Sequence, residues 1–127
     1  MMDELTAVVI DDDQSLTPIV TELLTAQRIK LAGIGFSGID TIRLVKANNP
    51  VIVFLNIKTP QPDLIDTLKE IRSHDNTVHI VVAISNGDQD VKELVFQGAN
   101  SIIFKPFDKQ KIEQIIGEIN NSIPKWG

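Results

Sequence analysis

Five short apolar runs constrain this chain more than anything else in it: LTAVVI at 5–10, KLAGIGF at 30–36, VIVFL at 51–55, HIVVAI at 79–84 and SIIF at 101–104. They are rich in Val and Ile, and most lack the apolar–polar alternation of a strand with one wet face. Such runs read as strands covered on both faces, the pattern of a parallel sheet.

The intervals between them carry a helical period instead. Leu16, Ile19, Val20, Leu23 and Leu24 form one stripe, and Ile112, Ile115, Ile116 and Ile119 form another, with Ile123 a turn beyond. Shorter stripes are Ile39, Ile42 and Val45; Leu64, Leu68 and Ile71; and Val91, Leu94 and Val95. Helix boundaries follow. Ser37 and Asp40 resemble a capping box, Asp88 and Asp108 stand at N-cap positions, and Gly98 at a helix end. Pro18 fits a first helical turn if Ser15 or Thr17 is the cap. Strand and helix alternate five times, so the chain should form one doubly wound α/β domain, core 5–122, with a short tail at 123–127 that includes Trp126.

A formal charge of −5 disfavours nonspecific contact with nucleic acid or anionic membrane. With no cysteine, disulfides and thiolate metal sites are excluded. The start, MMDELTAVVIDDD, lacks the basic segment of a signal peptide. No apolar run approaches the roughly 20 residues that span a bilayer. The expectation is a cytoplasmic protein.

In doubly wound sheets ligands bind at the carboxyl ends of the strands. There the first run ends in Asp11, Asp12 and Asp13, the third in Asn56, the fourth in Ser85-Asn86-Gly87 and the fifth in Lys105-Pro106. Converging carboxylates repel and need a cation: a divalent metal, a lysine, or both. Mg²⁺ suits oxygen donors; Lys105 offers a fixed charge, Ser85 a hydroxyl, and Pro106 permits a cis bond. Metal, lysine and hydroxyl together are phosphoryl-transfer equipment. Taken singly, each residue has a plainer reading: the acids as a turn and helix cap, Ser85 as a turn, Lys105 and Lys58 as solvated lysines, Phe104 and Phe107 as packing. His74 and His79 lie away from this edge.

VVIDDDQSL, VIVFLNIKTPQPD, VVAISNG and FKPF, in this order on a five-fold β-α alternation, resemble the receiver domain of two-component response regulators over about residues 5–122. The resemblance implies strand order 2-1-3-4-5 in a flavodoxin-like fold. It implies a Mg²⁺ site of Asp11, Asp12 (the more direct ligand), residue 56 and the Lys58 backbone carbonyl, with Asp13 at a variable position. It further implies Ser85 as switch hydroxyl, Phe104 as switch aromatic, Lys105 as phosphate partner, and a cis bond before Pro106. Partners would be a histidine kinase or phosphotransfer protein, and a downstream protein on the face of helix 4, strand 5 and helix 5. Such a chain would be a monomer or weak homodimer, not an enzyme.

One residue departs from that pattern at its centre. The family's phosphoacceptor is an aspartate, and here it is Asn56, a neutral amide with a delocalised lone pair that cannot form a stable acyl phosphate. Mg²⁺ affinity should fall with the lost charge, and repulsion against Asp11 and Asp12 should ease. Leu64 also stands where the family's PxxDG pattern has glycine. The chain therefore reads as a receiver unable to be phosphorylated at 56, either naturally degenerate or carrying an engineered Asp→Asn change. The alternative is a small flavodoxin-like nucleotide- or phosphate-ester-binding protein or enzyme, against which the glycine-free acidic DDDQS loop argues.

Overall fold

The computed structural model describes residues 4–85 and 89–123. Five parallel strands, β1 (Thr6–Asp11), β2 (Lys30–Gly35), β3 (Ile52–Asn56), β4 (His79–Ser85) and β5 (Ser101–Lys105), lie in the order β2-β1-β3-β4-β5. Between and after them run α1 (Thr17–Ala26), α2 (Ile39–Asn48), α3 (Gln61–His74), α4 (Val91–Phe96) and α5 (Lys109–Ser122).

The sheet's period of two divides the Val/Ile runs between two cores. Ala7, Val9, Ile52, Phe54, Val81 and Ala83 pack with the stripes of α1 and α5. Val8, Ile10, Val53, Leu55, Ile80, Val82 and Ile84 pack with Val45 of α2, Leu64, Leu68 and Ile71 of α3, and Leu94 of α4. This is why the three central runs show no alternation: both parities are buried. The edge strands differ from that expectation. In β2, Ile34 is 45% exposed, and in β5, Phe104 is 39% exposed, because an edge strand has only one flanking strand and its outer side stays open.

Several helix ends fall elsewhere than the spacing implies. Neither Ser15 nor Thr17 caps α1; the cap residue is Leu16, without a side-chain bond of its own, and Pro18 sits in the first turn. Gly38, not Ser37, precedes α2, and Asp40 reaches back to the Phe36 N–H (2.9 Å) rather than completing a capping box. That bond, with Arg43 beside it, holds the Asp40 carboxyl below its ordinary pKa. The buried face of α2 is Thr41 and Val45, while Ile39 is 89% exposed. On α4, a six-residue helix, only Leu94 is buried and Val95 is 50% exposed. Asp88 lies outside the described residues, as does Trp126; the α4 cap is Asp90, which accepts from Glu93 N–H. Asp108 caps α5 as its position implies, accepting from Gln110 and Lys111 N–H. Gly98 closes α4 in a left-handed conformation (φ +126°).

Candidate functional site

Register assembles the site. β1 and β3 pair so that Asp11 lies opposite Asn56, and β4 and β5 so that Ser85 lies opposite Lys105. All four residues therefore stand at the carboxyl edge, where β1 and β3 adjoin on one side and β4 and β5 on the other. A cleft of about 250 Å³ opens there, lined by Asp13, Asn56, Lys58, Thr59, Ser85 and Lys105, among others. The Lys105–Pro106 peptide is cis.

Each of the three consecutive acids has a different task. Asp11 is fully buried. Its Oδ2 accepts from Leu16 N–H (3.0 Å), Thr17 N–H (2.6 Å) and the Thr17 hydroxyl (2.6 Å), so a strand residue supplies the cap that α1 lacks locally. The positive end of the α1 dipole favours that carboxylate. Asp11 Oδ1 accepts from Asn56 Nδ2 at 2.7 Å. Asp12 is exposed, and its Oδ2 accepts from the Lys58 backbone N–H at 2.5 Å. Asp13 Oδ1 accepts from Asn56 Nδ2 (3.0 Å) and from the hydroxyl (2.6 Å) and N–H (3.0 Å) of Ser15, while Oδ2 takes the Lys105 ammonium at 2.8 Å. The Lys105 hydrogen bond, then those from Ser15, holds the Asp13 carboxyl far below the usual range. Gln14, in a left-handed conformation (φ 61°), turns the chain between Asp13 and Ser15.

The structure thus gathers Asn56, Ser85 and Lys105 into one cleft and ties Asn56 to Asp11. Lys58 meets the acids through its backbone N–H, its side chain being exposed. Asp13, which the resemblance leaves at a variable position, is the acid that joins Lys105 to Asn56. The spacing of Asp13 and Ser15, an acid bonding the residue two on, is a local turn signal that could have marked it. Gln89, unremarked in the sequence, lines the cleft and donates to the Thr59 carbonyl (3.3 Å). Phe104 stands on the outer edge, with the Lys111 ammonium 5.8 Å from its ring centroid. His79 begins β4 at the opposite edge and bonds the Ser101 hydroxyl through Nε2 (2.8 Å).

Mg²⁺, which the resemblance implies, requires oxygen donors in near-octahedral array. The atoms here are of the right kind, but both oxygens of Asp11 and of Asp13 and one oxygen of Asp12 already accept hydrogen bonds, and Asn56 turns its nitrogen, not its oxygen, toward Asp11 and Asp13. As arranged, these residues do not fit the ion. Among the described residues no group of three or more His, Cys, Asp or Glu side chains is placed to hold a metal.

The response regulator receiver domain model matches residues 7–117. The chemotaxis protein CheY of Halobacterium salinarum is 27% identical over 111 residues, covering 87% of this chain and 92% of that protein. CheY of Thermotoga maritima is 26% identical over 113 residues, covering 88% and 94%. Among solved structures, the receiver domain of AraT from Geobacillus stearothermophilus superposes with a TM-score of 0.80 at 14% identity, covering 94% of this chain and 95% of that one. The receiver domain of a Pseudomonas aeruginosa sensor histidine kinase, described with a magnesium ion in its active-site cleft, gives 0.74 at 19%, covering 94% and 100%. At these identities the structural likenesses establish the fold.

Proposed function

The chain belongs to the response regulator receiver domain family of two-component signalling, and from that premise we propose that it is a receiver working by protein contact, without phosphotransfer at residue 56. One observation carries this reading: at the end of β3, where the family's acceptor carboxylate would stand, Asn56 is 1% exposed and donates its amide to Asp11 and Asp13. In-line attack on phosphorus needs an anionic oxygen. An amide directing N–H toward two carboxylates has neither the charge nor the orientation.

Contact would be made through the face of α4, β5 and α5. Val95 (50%), Phe96 (82%) and Phe104 (39%) are exposed on α4 and β5, apolar surface of the kind that marks interaction sites when contiguous. Phe104 would be the aromatic of this face. A histidine kinase or phosphotransfer protein and a downstream protein are the partner classes, engaged in the cytoplasm by a monomer or weak homodimer. Ser85 and Lys105 keep the positions of phosphate contacts, but Lys105 is paired with Asp13. Among the described residues no helix is long and apolar enough to cross a membrane.

The test is treatment with acetyl phosphate and Mg²⁺, read by intact-mass spectrometry. The chain should gain no hydroxylamine-sensitive phosphoryl adduct, and its affinity for a captured partner should not respond to the phosphodonor. A stoichiometric adduct in the cleft would overturn the proposal. Asn56→Asp reports whether the remaining pocket is competent.

A further inference from the structure

Three carboxylates in succession, one of them without solvent contact, need positive charge or hydrogen-bond donors close by. Among the described residues five of their six oxygens have them: both of Asp11, one of Asp12 and both of Asp13. The donors are the Leu16 and Thr17 N–H groups and the Thr17 hydroxyl at the start of α1, the Lys58 N–H, Ser15, the Lys105 ammonium and, at the centre, Asn56.

Asn56 Nδ2 stands among three oxygens: Asp11 Oδ1 at 2.7 Å, Asp13 Oδ1 at 3.0 Å and Ser15 Oγ at 3.3 Å. Ionised carboxylates only accept, so they dictate which way the amide faces. With its oxygen turned inward, three acceptors would oppose one another in a buried site. The nitrogen consequently occupies the space between Asp11 and Asp13 where a cation bridging those two acids would sit, and Mg²⁺ would need its ligand oxygens at about 2.0–2.1 Å. Admitting an ion there would require expelling this amide and breaking its bonds to Asp11 and Asp13, and an ion on Asp12 Oδ2 would have to displace the Lys58 N–H.

We infer that Asn56 is the pocket's internal hydrogen-bond donor in place of a cation: with the Lys105 ammonium it closes the β1–α1 acids into a network that neither needs nor admits a divalent ion. The network ties the end of β3 to α1 through Asp11 and to β5 through Asp13 and Lys105, so the cleft keeps one conformation whatever the metal concentration. This deepens the receiver reading given above, yet it rests on the contacts of Asn56 rather than on any partner or phosphodonor.

The test compares the full chain with Asn56→Ala and Asn56→Asp, in EDTA and in Mg²⁺ at about 10 mM, a concentration that would saturate a sub-millimolar site and raise its thermal midpoint. The unaltered chain should shift its Tm by less than about 1 °C between the two conditions. In EDTA, Asn56→Ala should melt about 5 °C or more lower, having lost the donor shared by two acids. Asn56→Asp, with a third carboxylate on the pair, should be destabilised in EDTA and recover by several degrees in Mg²⁺. Mn²⁺ broadening of backbone amide signals at residues 11–15 and 56–58 provides a second readout that does not depend on either variant folding. Little site-specific broadening is expected in the unaltered chain at sub-millimolar Mn²⁺. Saturable broadening there, or an Asn56→Ala variant as stable as its parent in EDTA, would overturn the inference. So would an Asn56→Asp variant with no greater response to Mg²⁺ than the parent. No phosphodonor or partner enters these measurements, so a failure here leaves the signalling proposal standing, and the reverse.

Discussion

Replacing Asp11 by Ala should cost far more stability than replacing Asp12, although the two are adjacent acids at one strand end. Asp11 is fully buried and satisfies four donors: two α1 N–H groups, the Thr17 hydroxyl and Asn56 Nδ2. An unpaired buried donor costs about 1–3 kcal/mol, and loss of a helix cap about 1 kcal/mol. These losses overlap, and removing one charge eases repulsion with Asp12 and Asp13, so the net effect should be about 3 kcal/mol. For a domain of this length that is a fall in Tm of about 10 °C. Asp12 is exposed and its carboxylate bonds only the Lys58 N–H among its described contacts; losing that side chain should cost at most about 1 kcal/mol. Urea unfolding followed by far-UV circular dichroism, in EDTA, measures both. A sharper arm exchanges the partners. Asp11→Asn alone sets two amides donor to donor, whereas Asp11→Asn with Asn56→Asp restores one donor and one acceptor and leaves the oxygen of the new amide free to accept from α1. The double variant should therefore be more stable than the sum of the two single losses, by about 1–3 kcal/mol. An Asp11→Ala loss below about 1 kcal/mol, or no rescue in the double variant, would refute this partition of roles.

Burial, reinforced by the Arg72 charge, holds His79 below its ordinary pKa. The unfolded chain then takes up the proton first, so stability present above about pH 6.5 should fall as pH drops toward the folded value; this decline should shrink in His79→Gln, measured by urea unfolding between about pH 7 and 5. The Arg72 guanidinium donates to the carbonyls of Gly98, Asp75 and Val78 and to Asn100 Oδ1. Arg72→Met should thus cost about 2–4 kcal/mol by the same assay, leaving several acceptors unpaired. Gly98→Ala should also destabilise, by about 1–3 kcal/mol, because φ is +126° and the new Cβ would meet Arg72 Cγ at 2.8 Å; a neutral outcome would contradict the close approach. Lys105→Met should cost less than about 1 kcal/mol, since its ion pair with Asp13 is solvent-exposed and screened, and that small loss should vanish in high salt.

Much of the architecture could be read from the chain alone. Unalternating Val/Ile runs separated by helical stripes imply a parallel sheet buried on both faces, because only such a sheet hides both parities of a strand. The carboxyl-end rule then singles out Asn56, Ser85 and Lys105, residues that register alone brings to one edge. The faces of short helices were less legible. Ile39 is exposed while Thr41 is buried, since two turns of weak apolar spacing do not settle which side meets the sheet. Tertiary structure also decided which acid does what. Asp11 is the last paired residue of β1, and the strand pattern does not say which donors it, Asp12 and Asp13 will meet. Their directions come from the α1 amides, the turn at Gln14, and the amide and ammonium arriving from β3 and β5. A carboxylate's task follows from the donors within about 3 Å of it, and the donors on Asn56, Lys58 and Lys105 come from 43 or more residues away.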